Sequence, residues 1–81
     1  MTAANFRGMV NQTAQLGTPT GTQIRQYSGT AHTPHGVSRF SEWELCLVIE
    51  RNGHTEMHGM FSGKKEKIEE LDRKVRNLLN L

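Results

Sequence analysis

Lys64, Lys65 and Lys67 follow Ser62-Gly63 within four positions, at the start of the clearest helical pattern in the chain. A helix N-terminus exposes free N–H groups and the positive end of the macrodipole, so each lysine there costs roughly 0.3–1 kcal/mol. A docked anion reverses the balance, because ammonium groups, amides and dipole then act together. Downstream the charges compensate, with Glu69 and Arg73, and Glu70 and Lys74, standing at i, i+4. A stability rule broken at one end of one helix marks a place where function is expected.

The charge of the whole 81-residue chain points the same way. The net charge is only +2, yet residues 1–40 hold Arg7, Arg25 and Arg39 with no acid. Residues 41–63 carry Glu42, Glu44, Glu50 and Glu56 against Arg51, and residues 64–81 carry six bases against four acids. Such segmentation suits a molecule with one face for a large anion and another kept away from it, and nucleic acid is the commonest such anion.

Other chemistries find less support. Cys46, Glu50, His54 and His58 could share one face of a hairpin, but spread over about four strand positions they make a poor tetrahedral zinc set. Cys46 with His58 as a nucleophile pair lacks a third orienting group, and a cysteine at the centre of a strand is ordinarily inert packing. With 35% hydrophobic residues, a chain this short builds a two-layer domain and no deep enclosed site, so catalysis is disfavoured and no metal or other cofactor is expected. A lone cysteine excludes an internal disulfide, and the absence of a signal-like leader or an 18-residue apolar run argues against secretion and membrane insertion. The expected location is inside the cell, cytoplasmic or nuclear.

One domain, residues 1–81, must position these groups. Phe6, Met9, Val10 and Thr13 predict a helix over 3–16, with Thr2 as cap and Gly17 and Pro19 closing it. Ile24–Tyr27 reads as a short strand, Gly29–Gly36 as a loop around Pro34. Trp43, Leu45, Leu47 and Ile49 alternate with Glu44, Cys46, Val48 and Glu50 in a half-buried strand, and Asn52-Gly53 signals a hairpin. A three-residue loop buries the most apolar surface, setting Leu47 beside Met57, Trp43 beside Phe61 and Ile49 beside Thr55. Ser62 then caps a helix striped by Ile68, Leu71, Val75 and Leu78. The order is α-β-β-β-α, an α+β domain with two helices on one face of a three-stranded antiparallel sheet.

This order, together with several local motifs, resembles the double-stranded RNA-binding domain (dsRBD) family over residues 5–81. Val10-Asn11-Gln12-Thr13-Ala14-Gln15 is similar to the family's first-helix pattern, and Ser28-Gly29-Thr30-Ala31-His32-Thr33-Pro34 to its Gly-Pro-x-His loop. Ser62-Gly63-Lys64-Lys65 is similar to the Ser-Lys-Lys start of its last helix, and Gly59 matches a glycine of its third strand. The chain departs from the pattern at Thr30, a proline in the family, at Phe61, a glycine, and at Lys67, one position early.

The resemblance implies binding of an RNA duplex by shape over about 16 base pairs, without sequence readout. It implies that Gln12 and Gln15, with Asn11 and Arg7, meet one minor groove, and that Gly29, Thr30 and His32 meet the next. Lys64, Lys65 and Lys67 would bridge the phosphates between, with the acidic hairpin facing away. The alternative is a protein-interaction module on the same scaffold. It would act through the sheet face around Cys46, Val48 and Met60, or as a homodimer through Leu79 and Leu81 of the last helix.

Overall fold

The computed structural model describes residues 2–81, arranged as α1 (Ala3–Ala14), β1 (Thr18–Thr33), β2 (Gly36–Arg51), β3 (His54–Gly63) and α2 (Lys65–Leu79). The sheet is antiparallel with order β1-β2-β3, so the α-β-β-β-α architecture is the one the sequence predicts. Both helices cover one face. Val10 of α1 and Ile68, Leu71 and Val75 of α2 share a core with Leu45, Leu47, Ile49, Met60 and Phe61 of the sheet.

α1 starts where Thr2 accepts a hydrogen bond from the Asn5 N–H at 3.1 Å. Its inward side carries Phe6, Val10 and Thr13. The Thr13 hydroxyl is buried without penalty because it donates to the Met9 carbonyl at 2.8 Å. Phe6 stacks on Phe61 with ring centroids 5.5 Å apart. Gly17 then passes so close to β2 that a Cβ there would lie 2.6 Å from the Glu50 carbonyl oxygen. Only glycine permits that approach, and it ties the end of α1 to the end of β2.

The short strand and loop expected over residues 24–36 are instead one continuous hairpin. β1 and β2 pair without a break from Gly21↔Val48 to Thr33↔Gly36, around a turn at Pro34-His35. At that turn Thr33 Oγ1 accepts from the His35 N–H at 3.3 Å and donates to the Gly36 carbonyl at 3.0 Å. Because β3 ends where Gly63 pairs with Trp43, residues 28–41 project as a two-stranded ribbon with neither face covered. Gly29 falls inside it, under the Phe40 ring, which a Cβ would meet at 2.9 Å.

The second hairpin also differs from expectation. Its loop has two residues, Asn52 and Gly53, both with positive φ (53° and 78°), so Arg51 pairs with His54 and Leu47 with His58. This turn matches the right-handed twist of the flanking strands, and its geometry outweighs the register that would bury most apolar surface. A bulge at Met60 restores the core by bringing Phe61 opposite Leu45. Glu56 and His58 thus share the helix-side face with Ile49 and Leu47, where Arg51 and His58 lie 3.1 and 2.9 Å from the Glu56 carboxylate.

In α2, Lys64 rather than Ser62 is the N-cap, and no side chain accepts from the free N–H groups. The apolar stripe ends differently from its spacing: Leu78 is 40% exposed while Leu79 packs on the core. Thr22 of β1 donates to the Asp72 carboxylate, tying the middle of α2 to the sheet. The helix closes at Asn80 in the left-handed region, φ 61°. Among the described residues no helix is long and apolar enough to cross a membrane.

Candidate nucleic-acid interface

Positions along β2 give the molecule a ruler. α1 ends at the level of Ile49 and Glu50, against which Gly17 packs, while α2 begins at the level of Trp43, the partner of Gly63. His32 pairs with Val37, further out on the ribbon. At about 3.3 Å per residue, these three levels are separated by steps of about 20 Å.

Gln12 and Gln15, with Asn11, occupy the last turns of α1 and are exposed at the first level. Lys64, Lys65 and Lys67 are exposed at the second. Thr30 and His32 lie at the third, Gly29 among them. Strand alternation puts Thr30 and His32 on the same side as Ile24 and Leu45, the side that carries the helices, and Gly29 on the other. The residues singled out from sequence therefore do not form one cluster. They form a series along the long axis, glutamines, lysines, ribbon, in a molecule 45 Å in its longest dimension.

The lysines are not equivalent. Lys65 Nζ sits 5.6 Å from the centre of the Trp43 ring and 3.7 Å from Glu69, so it is held in place by a cation–π contact and a weak ion pair. Glu69 thus pairs backward with Lys65, while Glu70 pairs with Lys74 at 3.5 Å as its spacing predicts. Lys64 and Lys67 make no ion pair among the described residues.

Lys67 also lines a groove of about 710 Å³ between the helices, together with Arg7, Lys74, Glu70, Phe6 and Leu71. Arg7 across from Lys67 and Lys74 extends the basic surface from α2 onto α1. Arg39 is a further basic group, one that entered the sequence reading only in the charge balance of residues 1–40 and not among the candidate contacts. It pairs with Thr30, so alternation sets it beside His32 on the helix side of the ribbon. Only the register of the long hairpin reveals it, since the sequence reads there as loop.

The opposite face of the sheet is chemically different. Glu42, Glu44 and Glu50 fall there by alternation, with Arg25, Tyr27, Cys46, Val48 and Met57. At its centre one oxygen of Glu44 accepts from Arg25 at 2.8 Å, Tyr27 at 3.1 Å and the Cys46 thiol at 3.3 Å. The Arg25 guanidinium first, then the Cys46 and Tyr27 donors, hold the Glu44 carboxyl below the usual carboxylate range. Burial, then the neighbouring Glu44, push the Cys46 thiol up, so it stays a neutral donor.

The two-residue turn also separates the zinc ligands weighed from sequence. Cys46 and Glu50 face one side of the sheet, His54 and His58 the other. Met60 likewise belongs to the helix side, and Met57 takes its place beside Val48 on the open face. No family model matches this chain, and no curated protein or solved structure is significantly similar to it.

Proposed function

We propose that this protein binds double-stranded RNA by shape, inside the cell and without catalysing a reaction. The observation that carries the reading is the order of groups along the helix side: amides at the end of α1, ammonium groups at the head of α2, then the ribbon with Thr30, His32 and Arg39. A duplex lying along this side meets the amides, then the ammonium groups, then the ribbon, whose Thr30 and His32 stand beside the Arg39 guanidinium. That sequence suits a minor groove, the phosphates across the major groove, and the next minor groove. Glu42, Glu44 and Glu50 lie on the other face of the sheet, whereas Glu56 of the acidic hairpin, expected to face away, lies on the helix side, paired with Arg51 and His58.

The test is a gel shift with an RNA duplex, a DNA duplex of equal length and the single strands, at several salt concentrations. Selective retention of the RNA duplex, weakening as salt rises, is the expected result. No shift would sink the reading. It would favour the second one, a protein-interaction module using the open sheet face, where Tyr27, Phe40 and Met57 are 45%, 48% and 39% exposed.

A further inference from the structure

Both helices rest on the sheet and scarcely touch one another, which leaves the seam between them as a groove of about 710 Å³, open to solvent. Phe6 and Leu71 lie at its base, and a second hollow of about 310 Å³ continues it past Lys67 and Leu71 to Met9, Met60 and Phe61. Met9 and Leu78 on its borders are exposed. Arg7 stands on the α1 rim, Lys67 and Lys74 on the α2 rim. The one acid lining this groove among the described residues, Glu70, is already paired with Lys74 at 3.5 Å. Arg7 and Lys67 make no ion pair among the described residues. At about 1.5 Å per residue, the α2 rim from Lys67 to Leu78 runs about 16 Å, or about three helical turns.

We propose that this groove takes an acidic amphipathic helix of a different protein, with its apolar stripe on Phe6, Leu71 and Leu78 and its carboxylates on Arg7 and Lys67 at the two rims. A small-molecule site buries most of its ligand, whereas an open groove of this length leaves a small amphiphile largely wet. A helix needs only one face covered, and it presents apolar residues at i, i+3, i+4 and i+7 to such a groove. Cations on both rims match acids on both flanks of that stripe, as charged flanking positions match across a coiled coil. A phosphate backbone satisfies the cations but offers no apolar surface to Phe6 and Leu78. A second copy of the chain does not supply the helix. α1 has no acid, and the apolar stripe of α2 is buried in its own core. Of the acids on α2, Glu69, Glu70 and Asp72 are paired with Lys65, Lys74 and Arg76. The inference stands independently of RNA binding, because it is read from the apolar base of the groove.

Fluorescence anisotropy with the full chain tests the proposal. The probe is a labelled peptide of about 18 residues, long enough to form a helix, with leucines at i, i+3, i+4 and i+7 flanked by glutamates. The chain should bind this peptide, and should bind a scrambled peptide of equal composition, or one with lysines for the glutamates, at least about tenfold more weakly. Leu78→Ser, and Arg7→Glu with Lys67→Glu, should each weaken binding about tenfold with an unchanged circular dichroism spectrum. Arg73→Glu, a charge reversal on α2 outside the groove, should not. The lysine peptide should in turn bind the Arg7→Glu, Lys67→Glu chain. No binding of the striped peptide, equally tight binding of the scrambled one, or an equal loss with Arg73→Glu overturns the proposal. So does Leu78→Ser lowering duplex RNA affinity as much as peptide affinity, which gives the groove to RNA, or abolishing self-association in sedimentation, which gives it to a second copy.

Discussion

The Glu44 carboxylate lies across the backbone of Gly59, so close that a Cβ at position 59 would come within 2.7 Å of Glu44 Oε2. The glycine on one strand is the space that a carboxylate on the next one fills while it gathers Arg25, Tyr27 and Cys46.

Gly59→Ala should therefore displace Glu44 and weaken those hydrogen bonds. The expected cost is about 1 kcal/mol, one net hydrogen bond's worth, since the carboxylate can swing aside. Urea unfolding gives the number. In a Glu44→Ala background the same substitution should cost nothing or stabilise the strand slightly. A cost that persists there would show that the glycine serves something other than Glu44.

Stability should fall on the acid side. A carboxyl held below its ordinary range when folded binds a proton more readily in the unfolded chain. Its contribution is thus present at neutral pH and is lost as the pH drops below the usual carboxylate range through the lowered folded value. Glu56, lowered by His58 and then Arg51, adds in the same direction. Glu44→Gln should flatten the acid limb of the urea midpoint against pH, and adding Glu56→Gln should flatten it further. Identical slopes in wild type and variants would contradict the pairing described.

Cys46 is buried, with its thiol shifted up and donating to Glu44. At neutral pH it should resist thiol reagents in the native protein and react at the rate of unfolding. Rapid stoichiometric labelling without denaturant would show that the open sheet face exposes it.

Lys64→Ala with Lys65→Ala should lower duplex RNA affinity and reduce the slope of log affinity against log salt by about one for each phosphate no longer neutralised. Filter binding across a salt series reads both quantities. An unchanged slope would remove these lysines from the interface.

Excising residues 29–40 and joining Ser28 to Ser41 through Asn-Gly should leave the melting temperature nearly unchanged, since the ribbon contributes nothing to the core. The same excision should weaken duplex RNA binding, because the third level of the interface goes with it. Full affinity in the shortened chain would confine RNA binding to the helices.

The helices and the central strand were legible because burial imposes a period on them. Val10 and Thr13 in α1, Ile68, Leu71 and Val75 in α2, and Leu45, Leu47 and Ile49 in β2 each face the core at the spacing their element demands. The ribbon was illegible for the converse reason. Exposed on both faces, it shows no alternation, and Gly29 and Pro34 read as breaks although one lies under Phe40 and the other forms the turn. Of the candidate site, the lysines announced themselves by violating the helix-terminus rule, whereas Arg39 carried no local signal.

Residue chemistry alone determined the order of elements, the core positions Val10, Leu45, Leu47, Ile49, Ile68, Leu71 and Val75 and the misplaced positive charge at the head of α2, because each follows from short-range spacing and local electrostatics. Which groups share a face was decided only by the folded chain. The tight Asn52-Gly53 turn divides Cys46 from His58, the bulge at Met60 brings Phe61 back opposite Leu45, and the unbroken β1–β2 pairing carries His32 and Arg39 far beyond the lysines. Register is a property of two strands at once, so no single stretch of chain contains it.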